Sequence, residues 1–148
     1  MIEFRFEKLR RDGNELETNW DLLLRLVADF SIIVPDAHIP LYREEEFCVV
    51  EFAMQITQWL ATLHTDLIDF SYNSIESDET GLVSIRKQQH GWTVAALHQD
   101  VCEDRPFSTE DIEKGVGEFI ARLKKEVPAE FSSAVRVRLA PASFAGSR

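Results

Sequence analysis

Two short alternating stretches, only five residues apart, constrain this chain more than any other feature. Val83 and Ile85 alternate with Ser84 and Arg86, and Trp92, Val94 and Ala96 alternate with Thr93, Ala95 and Leu97. A period of two marks strands with one buried face. Between them stand Gln88-Gln89-His90-Gly91, a hairpin-length loop with glycine available for positive φ. A crossover to a parallel neighbour needs about a dozen residues or more, so this spacing requires an antiparallel pair.

The rest of the chain extends that frame. Ile2, Phe4 and Phe6 alternate with Glu3, Arg5 and Glu7 as a strand, and Asp12-Gly13 marks a turn. Residues 20–27 fit a strand through Trp20, Leu22, Leu24 and Leu26, or a helical face through Leu22, Leu23, Leu26 and Val27. The strand is preferred, because Phe30, Ile32 and Val34 continue the alternation and Pro35 closes it; Ala28-Asp29 then separates two strands or bends one. A helix over about 46–63 carries an apolar stripe of Val49, Ala53, Ile56, Leu60 and Leu63, with Glu44, Glu45 and Glu46 assigned to its start, where the macrodipole favours negative charge. Ile68, Phe70 and Tyr72 make a further strand.

A second helix is announced by Phe107 as a staple, Ser108 as N-cap and Glu110-Asp111 in the first turn. Ile112, Val116, Phe119 and Leu123 repeat along it, Lys124 and Lys125 suit its end, and Pro128 stops it. Gly115 and Gly117 each cost such a helix about 1 kcal/mol, which a close approach to the sheet or a kink would explain. Val135, Val137 and Leu139 read as an edge strand guarded by Arg136 and Arg138. The order predicts an α+β two-layer sandwich: one mainly antiparallel sheet of about five to six strands packed against two long helices. Residues 1–140 form one domain in this reading, and 141–148 a loose tail.

Sixteen Lys and Arg stand against 26 Asp and Glu, a net charge of −10 in 148 residues. That balance opposes nucleic acids and anionic membranes, whose recognition depends on basic side chains, and favours basic partners. The plainer reading is that acidity serves solubility alone. Cys48 and Cys102 form no C-x-x-C pair and no disulfide framework. The charged, alternating N-terminus is not a signal peptide, and no apolar run is long enough for a membrane span. A reducing, cytoplasmic location is expected.

Nucleotide-binding, nucleophile-elbow and zinc-helix motifs are absent from the sequence, so no cofactor or metal is expected. His98 to Asp104 gathers an imidazole, the Cys102 thiol and three carboxylates, the groups of thiol and metal chemistry, though its spacing fits no metal motif. The plainer reading is an acidic loop with Cys102 half buried. His64 suits the last carbonyls of the first helix. No residue is assigned a catalytic role. The acidic signal is collective: Glu44, Glu45, Glu46, Glu76, Asp78, Glu79, Asp100, Glu103 and Asp104 all fall in predicted loops or helix starts. If these gather at one end of the sheet they form an anionic patch for a basic protein; otherwise they are scattered, solvated charges. Trp20, Tyr42 and Tyr72 are candidate anchors or core.

In size, acidity and architecture, this cysteine-poor chain without catalytic motifs resembles the small immunity proteins that bacteria make against their own toxins. The resemblance implies a non-enzymatic inhibitor whose acidic residues dock on a basic partner such as a toxin, and it transfers no individual residue. The alternative is a small enzyme or ligand-binding domain with a pocket between helix and sheet near His98 and Cys102. A third reading pairs the 135–139 strand across a homodimer.

Overall fold

A computed structural model of the chain describes residues 2–11, 26–34, 40–66, 68–74, 79–98 and 105–139. The alternation at the N-terminus becomes β1 (Glu3–Arg11), with Phe4 and Phe6 buried and Glu3 and Glu7 exposed. It pairs antiparallel with β2 (Leu26–Ile33), which pairs antiparallel with β3 (Tyr42–Phe47). Of the two alternatives at Ala28-Asp29, a separation into two strands does not occur: β2 runs through it, and its two neighbours bulge there. Lys8 and Leu9 of β1 oppose Ala28 alone, while Glu45 and Glu46 of β3 oppose Asp29 alone. Each bulge places one residue in the left-handed region, Lys8 at φ 58° and Glu46 at φ 56°. Asp29 holds the first bulge from β2, its carboxylate lying 3.3 Å from Arg10 Nη1 and 3.9 Å from Lys8 Nζ.

The glutamate run therefore belongs to an exposed edge strand rather than to a helix start. Helix α1 (Val49–Ala61) begins after Cys48, and Glu51 is the acid of its first turn. The second sheet holds β4 (Phe70–Tyr72), β5 (Val83–Gln88) and β6 (Gly91–Ala96), all antiparallel. Its hairpin is the one expected, with Gln88 opposite Gly91 and Gly91 at φ +143°. A Cβ at Gly91 would lie 2.6 Å from the Phe107 carbonyl oxygen, because Phe107 and Trp92 exchange two backbone hydrogen bonds. Ile68, assigned to the first of these strands, lies outside β4 and is 58% exposed.

Helix α2 (Thr109–Glu126) starts as expected, with Ser108 Oγ accepting from the Asp111 amide at 3.0 Å. Gly115 is explained by close approach, since a Cβ there would sit 2.6 Å from the Ile2 carbonyl oxygen; Gly117 faces open space. The stretch expected as an edge strand is instead a third helix, α3 (Ala129–Arg138). Phe131, Val135 and Leu139 are buried at a spacing of four, while Val137 is 69% exposed. Alternation in Val135-Arg136-Val137-Arg138-Leu139 suggested a strand, but burial of one helical face decides the conformation.

The fold is thus α+β with antiparallel pairing, but the described residues form two three-stranded sheets rather than one larger sheet, and three helices rather than two. The bulged, charged edge at Glu44–Glu46 accounts for the division, because a left-handed residue and three carboxylates discourage another strand from adding there. Side-chain packing joins what backbone pairing does not. The ring of Phe52 in α1 lies 5.2 Å from Phe30 of the first sheet, 5.2 Å from Tyr72 of the second and 5.6 Å from Phe119 of α2. One cluster of buried side chains takes in both sheets and all three helices. Residues 12–25, which include Asp12-Gly13 and Trp20, lie outside the described residues.

Candidate functional site

Beside the β3 edge is a cleft of about 220 Å³ that draws its lining from both sheets. From β3 and the start of α1 come Tyr42, Glu44, Glu46, Phe47 and Cys48. The bulge presents Glu46 to this cleft from a left-handed backbone position, a conformation that costs a non-glycine residue about 1 kcal/mol or more. From the second sheet and its loops come Tyr72, Ser74, Glu79, Leu82 and His98.

Backbone pairing sets this second group in place. The Leu82 amide donates to the Tyr72 carbonyl at 2.9 Å, and the Leu97 amide donates to the Leu82 carbonyl at 3.0 Å. His98 is thereby carried to Glu79, and its Nε2 lies 3.0 and 3.1 Å from the two carboxylate oxygens. Asn73 ties the same wall to α1: Gln55 Nε2 donates to its carbonyl at 2.9 Å, and its own Oδ1 accepts from the Gly81 amide at 2.7 Å.

The cleft floor is aromatic and protonated. Tyr72 donates to Oε1 of the buried Glu51 at 2.9 Å. Burial pushes the Tyr72 hydroxyl well above the usual tyrosine range; a hydrogen bond with Ser74 opposes this, and the charges of Glu51 and Cys48 add to it. Tyr42 is also raised, first by burial and then by Glu44 and Glu79. Carboxylates 35 positions apart in sequence thus act on one hydroxyl. Both tyrosines remain hydrogen-bond donors at neutral pH. A rim of Glu44, Glu46 and Glu79 over aromatic rings suits a cationic group, with His98 already paired to one of the three acids.

The candidate acids divide accordingly. Glu44, Glu46 and Glu79 share this cleft. Glu45 lines a larger hollow of about 540 Å³ on the first sheet, among Arg5, Glu7, Asp29 and Arg43, and Glu44 lines both. Glu76, Asp78, Asp100, Glu103 and Asp104 lie outside the described residues, as does Cys102. Among the described residues, the thiol in the same cleft as His98 is Cys48, which is reduced and buried. Tyr42 and Tyr72 are both buried and both line the cleft, so the choice between anchor and core does not divide them. His64 pairs with Glu113 of α2 rather than with the carbonyls of its own helix. Among the described residues no group of His, Cys, Asp and Glu is arranged to hold a metal, and no helix is long and apolar enough to cross a membrane.

Sequence reasoning missed Cys48, Ser74 and Glu51 as neighbours of the site. The signal for Glu51 was available: a glutamate among Val49, Val50, Phe52 and Ala53 is buried in any helix packed on several sides, and it then needs a donor.

Over residues 2–129 the chain matches the family described as "Domain of unknown function (DUF7878)", and it belongs to that family. The matched stretch takes in both sheets, α1 and α2, and ends as α3 begins. No curated protein and no solved structure matches the chain.

Proposed function

We propose that this member of the DUF7878 family is a non-enzymatic binding domain that engages a basic protein partner through the carboxylate-rimmed cleft. The carrying observation is the convergence of Glu44 and Glu46 of β3 with Glu79, from the connection between β4 and β5, on a cleft floored by Tyr42 and Tyr72. A lysine or arginine side chain of the partner is the group such a cleft accepts, its charge meeting the rim and its alkyl stem the rings. The remaining acidity of the chain steers the encounter, with a rate that falls as salt rises. In biological terms the reading is that of an immunity or inhibitor protein acting on a toxin in the cytoplasm, by the likeness in size, charge and class already described.

The test is capture of a partner by the native chain, followed by association kinetics with the triple variant Glu44→Gln, Glu46→Gln, Glu79→Gln and with Glu45→Gln. Association should slow about tenfold or more and lose salt dependence in the triple variant, while Glu45→Gln stays near wild type. Equal kinetics for the triple variant and wild type would remove the cleft from the interface.

A second reading is favoured by Cys48, which shares the cleft with the His98–Glu79 pair: a ligand-binding or thiol-reactive pocket. Thiol titration decides it, since an activated thiolate reacts faster than a free thiol at neutral pH. A Cys48 that reacts more slowly than free cysteine ends that reading.

A further inference from the structure

Acids outnumber bases 26 to 16 in this chain, so a hollow with basic lining and, among the described residues, no acidic lining is unexpected. One such groove, of about 500 Å³, runs between α2 and α3 and is lined by Lys124, Lys125, Ser132 and Arg136, among others. Among the described residues, none of those three cations has a side-chain ion pair or hydrogen bond. The carboxylates nearest in sequence are engaged elsewhere. Glu126 pairs with Arg122 on its own helix, and Glu130 lies 3.7 Å from Arg11 Nη1 on β1.

A helix end favours its own cations, which accounts for lysines in the last turn of α2 and arginine in the last turn of α3. It does not account for both sets lining one groove while both flanking acids serve other arginines. Ala129, the first residue of α3, also lines the groove, and no side chain caps that helix start. Its first-turn amides add to the positive potential.

We propose that this groove is a binding site for a small phosphate-bearing molecule. A guanidinium, two ammonium groups and a hydroxyl match an oxyanion carrying more than one charge and several acceptor oxygens. The volume leaves room for an organic part beyond the phosphate. A nucleic acid is a poor occupant, because its extended run of phosphates meets the field of a chain with net charge −10, whereas a small anion experiences mainly the local potential. The site is separate from the carboxylate cleft and does not depend on the function proposed for it.

Inorganic pyrophosphate is the probe, titrated calorimetrically into the full chain at constant ionic strength. Saturable single-site binding is expected, weakened by about a hundredfold in the double variant Lys124→Gln, Arg136→Gln, since each of the two charge-assisted hydrogen bonds lost costs roughly tenfold. Amide shift mapping on the wild-type chain provides a readout independent of any variant, with the changes expected over 124–136. Absent saturation, equal affinity in the double variant, or shifts centred elsewhere would each overturn the proposal.

Discussion

Gly115 and Gly117 stand two residues apart in α2, yet their surroundings call for opposite substitutions. The Cβ of Gly115→Ala would meet a backbone oxygen of Ile2 at 2.6 Å, and backbone cannot swing aside. Gly117 is exposed with nothing nearby, so alanine there only improves helix propensity. Denaturant unfolding should show Gly115→Ala less stable by about 1–3 kcal/mol and Gly117→Ala more stable by roughly 1 kcal/mol. Stabilisation by Gly115→Ala would mean that α2 does not lie against the N-terminal strand. Tyr72 makes a different kind of prediction. Burial raises its pKa in the folded state, as it does for Tyr42, while the unfolded chain ionises near the ordinary value of about 10. The unfolded state therefore loses its protons first as pH rises. The stability contributed by the neutral tyrosines is complete below about pH 10 and drains away above it. Thermal midpoints measured from pH 8 upward should fall beyond that point, and Tyr72→Phe should flatten the fall; an unchanged alkaline slope would contradict the buried placement.

At the scale of elements, α3 and the β3 edge show how local pattern and context compete. Residues 135–139 alternate well enough for a strand, yet the buried positions Phe131, Val135 and Leu139 follow helical spacing. Val135→Lys should abolish cooperative folding or lower the thermal midpoint severely, because it buries an unpaired charge, whereas Val137→Lys should behave as wild type. Equal sensitivity at both positions would favour a strand, in which Val135 and Val137 share one buried face. The helical spacing appears only when Phe131 is taken together with Val135 and Leu139; residues 135–139 alone, with alternating valines and arginines, resemble an edge strand. The glutamate run has the reverse history. Three acids before an apolar helix suggest its first turn, but the bulge opposite Asp29 keeps them in β3 as far as Phe47. That bulge depends on pairing with β2, a contact between segments separated in sequence.

For the molecule as a whole, Phe52 joins parts that backbone pairing leaves separate. Its ring contacts both sheets and α2, so its removal should be felt throughout. Phe52→Ala should cost about 3–5 kcal/mol. The loss should appear as one transition, with tryptophan fluorescence (Trp59 and Trp92 lie in or beside the second sheet) and far-ultraviolet dichroism coincident. Separate transitions would show that the two sheets fold as independent units. Charge is also organised at this scale: acids of β3 and of the connection before β5 share one cleft, and three cations without acidic partners among the described residues share one groove.

The sequence by itself determined the antiparallel hairpin 83–96, the capped start of α2 and the stripe of α1, because each rests on periodicity, a cap or a turn within a few residues. It also determined the acidity. Tertiary structure decided the division into two sheets, the third helix, the left-handed placement of Glu46 and which acids converge. Those outcomes follow from register and burial between distant segments, and a one-residue bulge in a strand pair redirects side chains without changing the local pattern of the sequence.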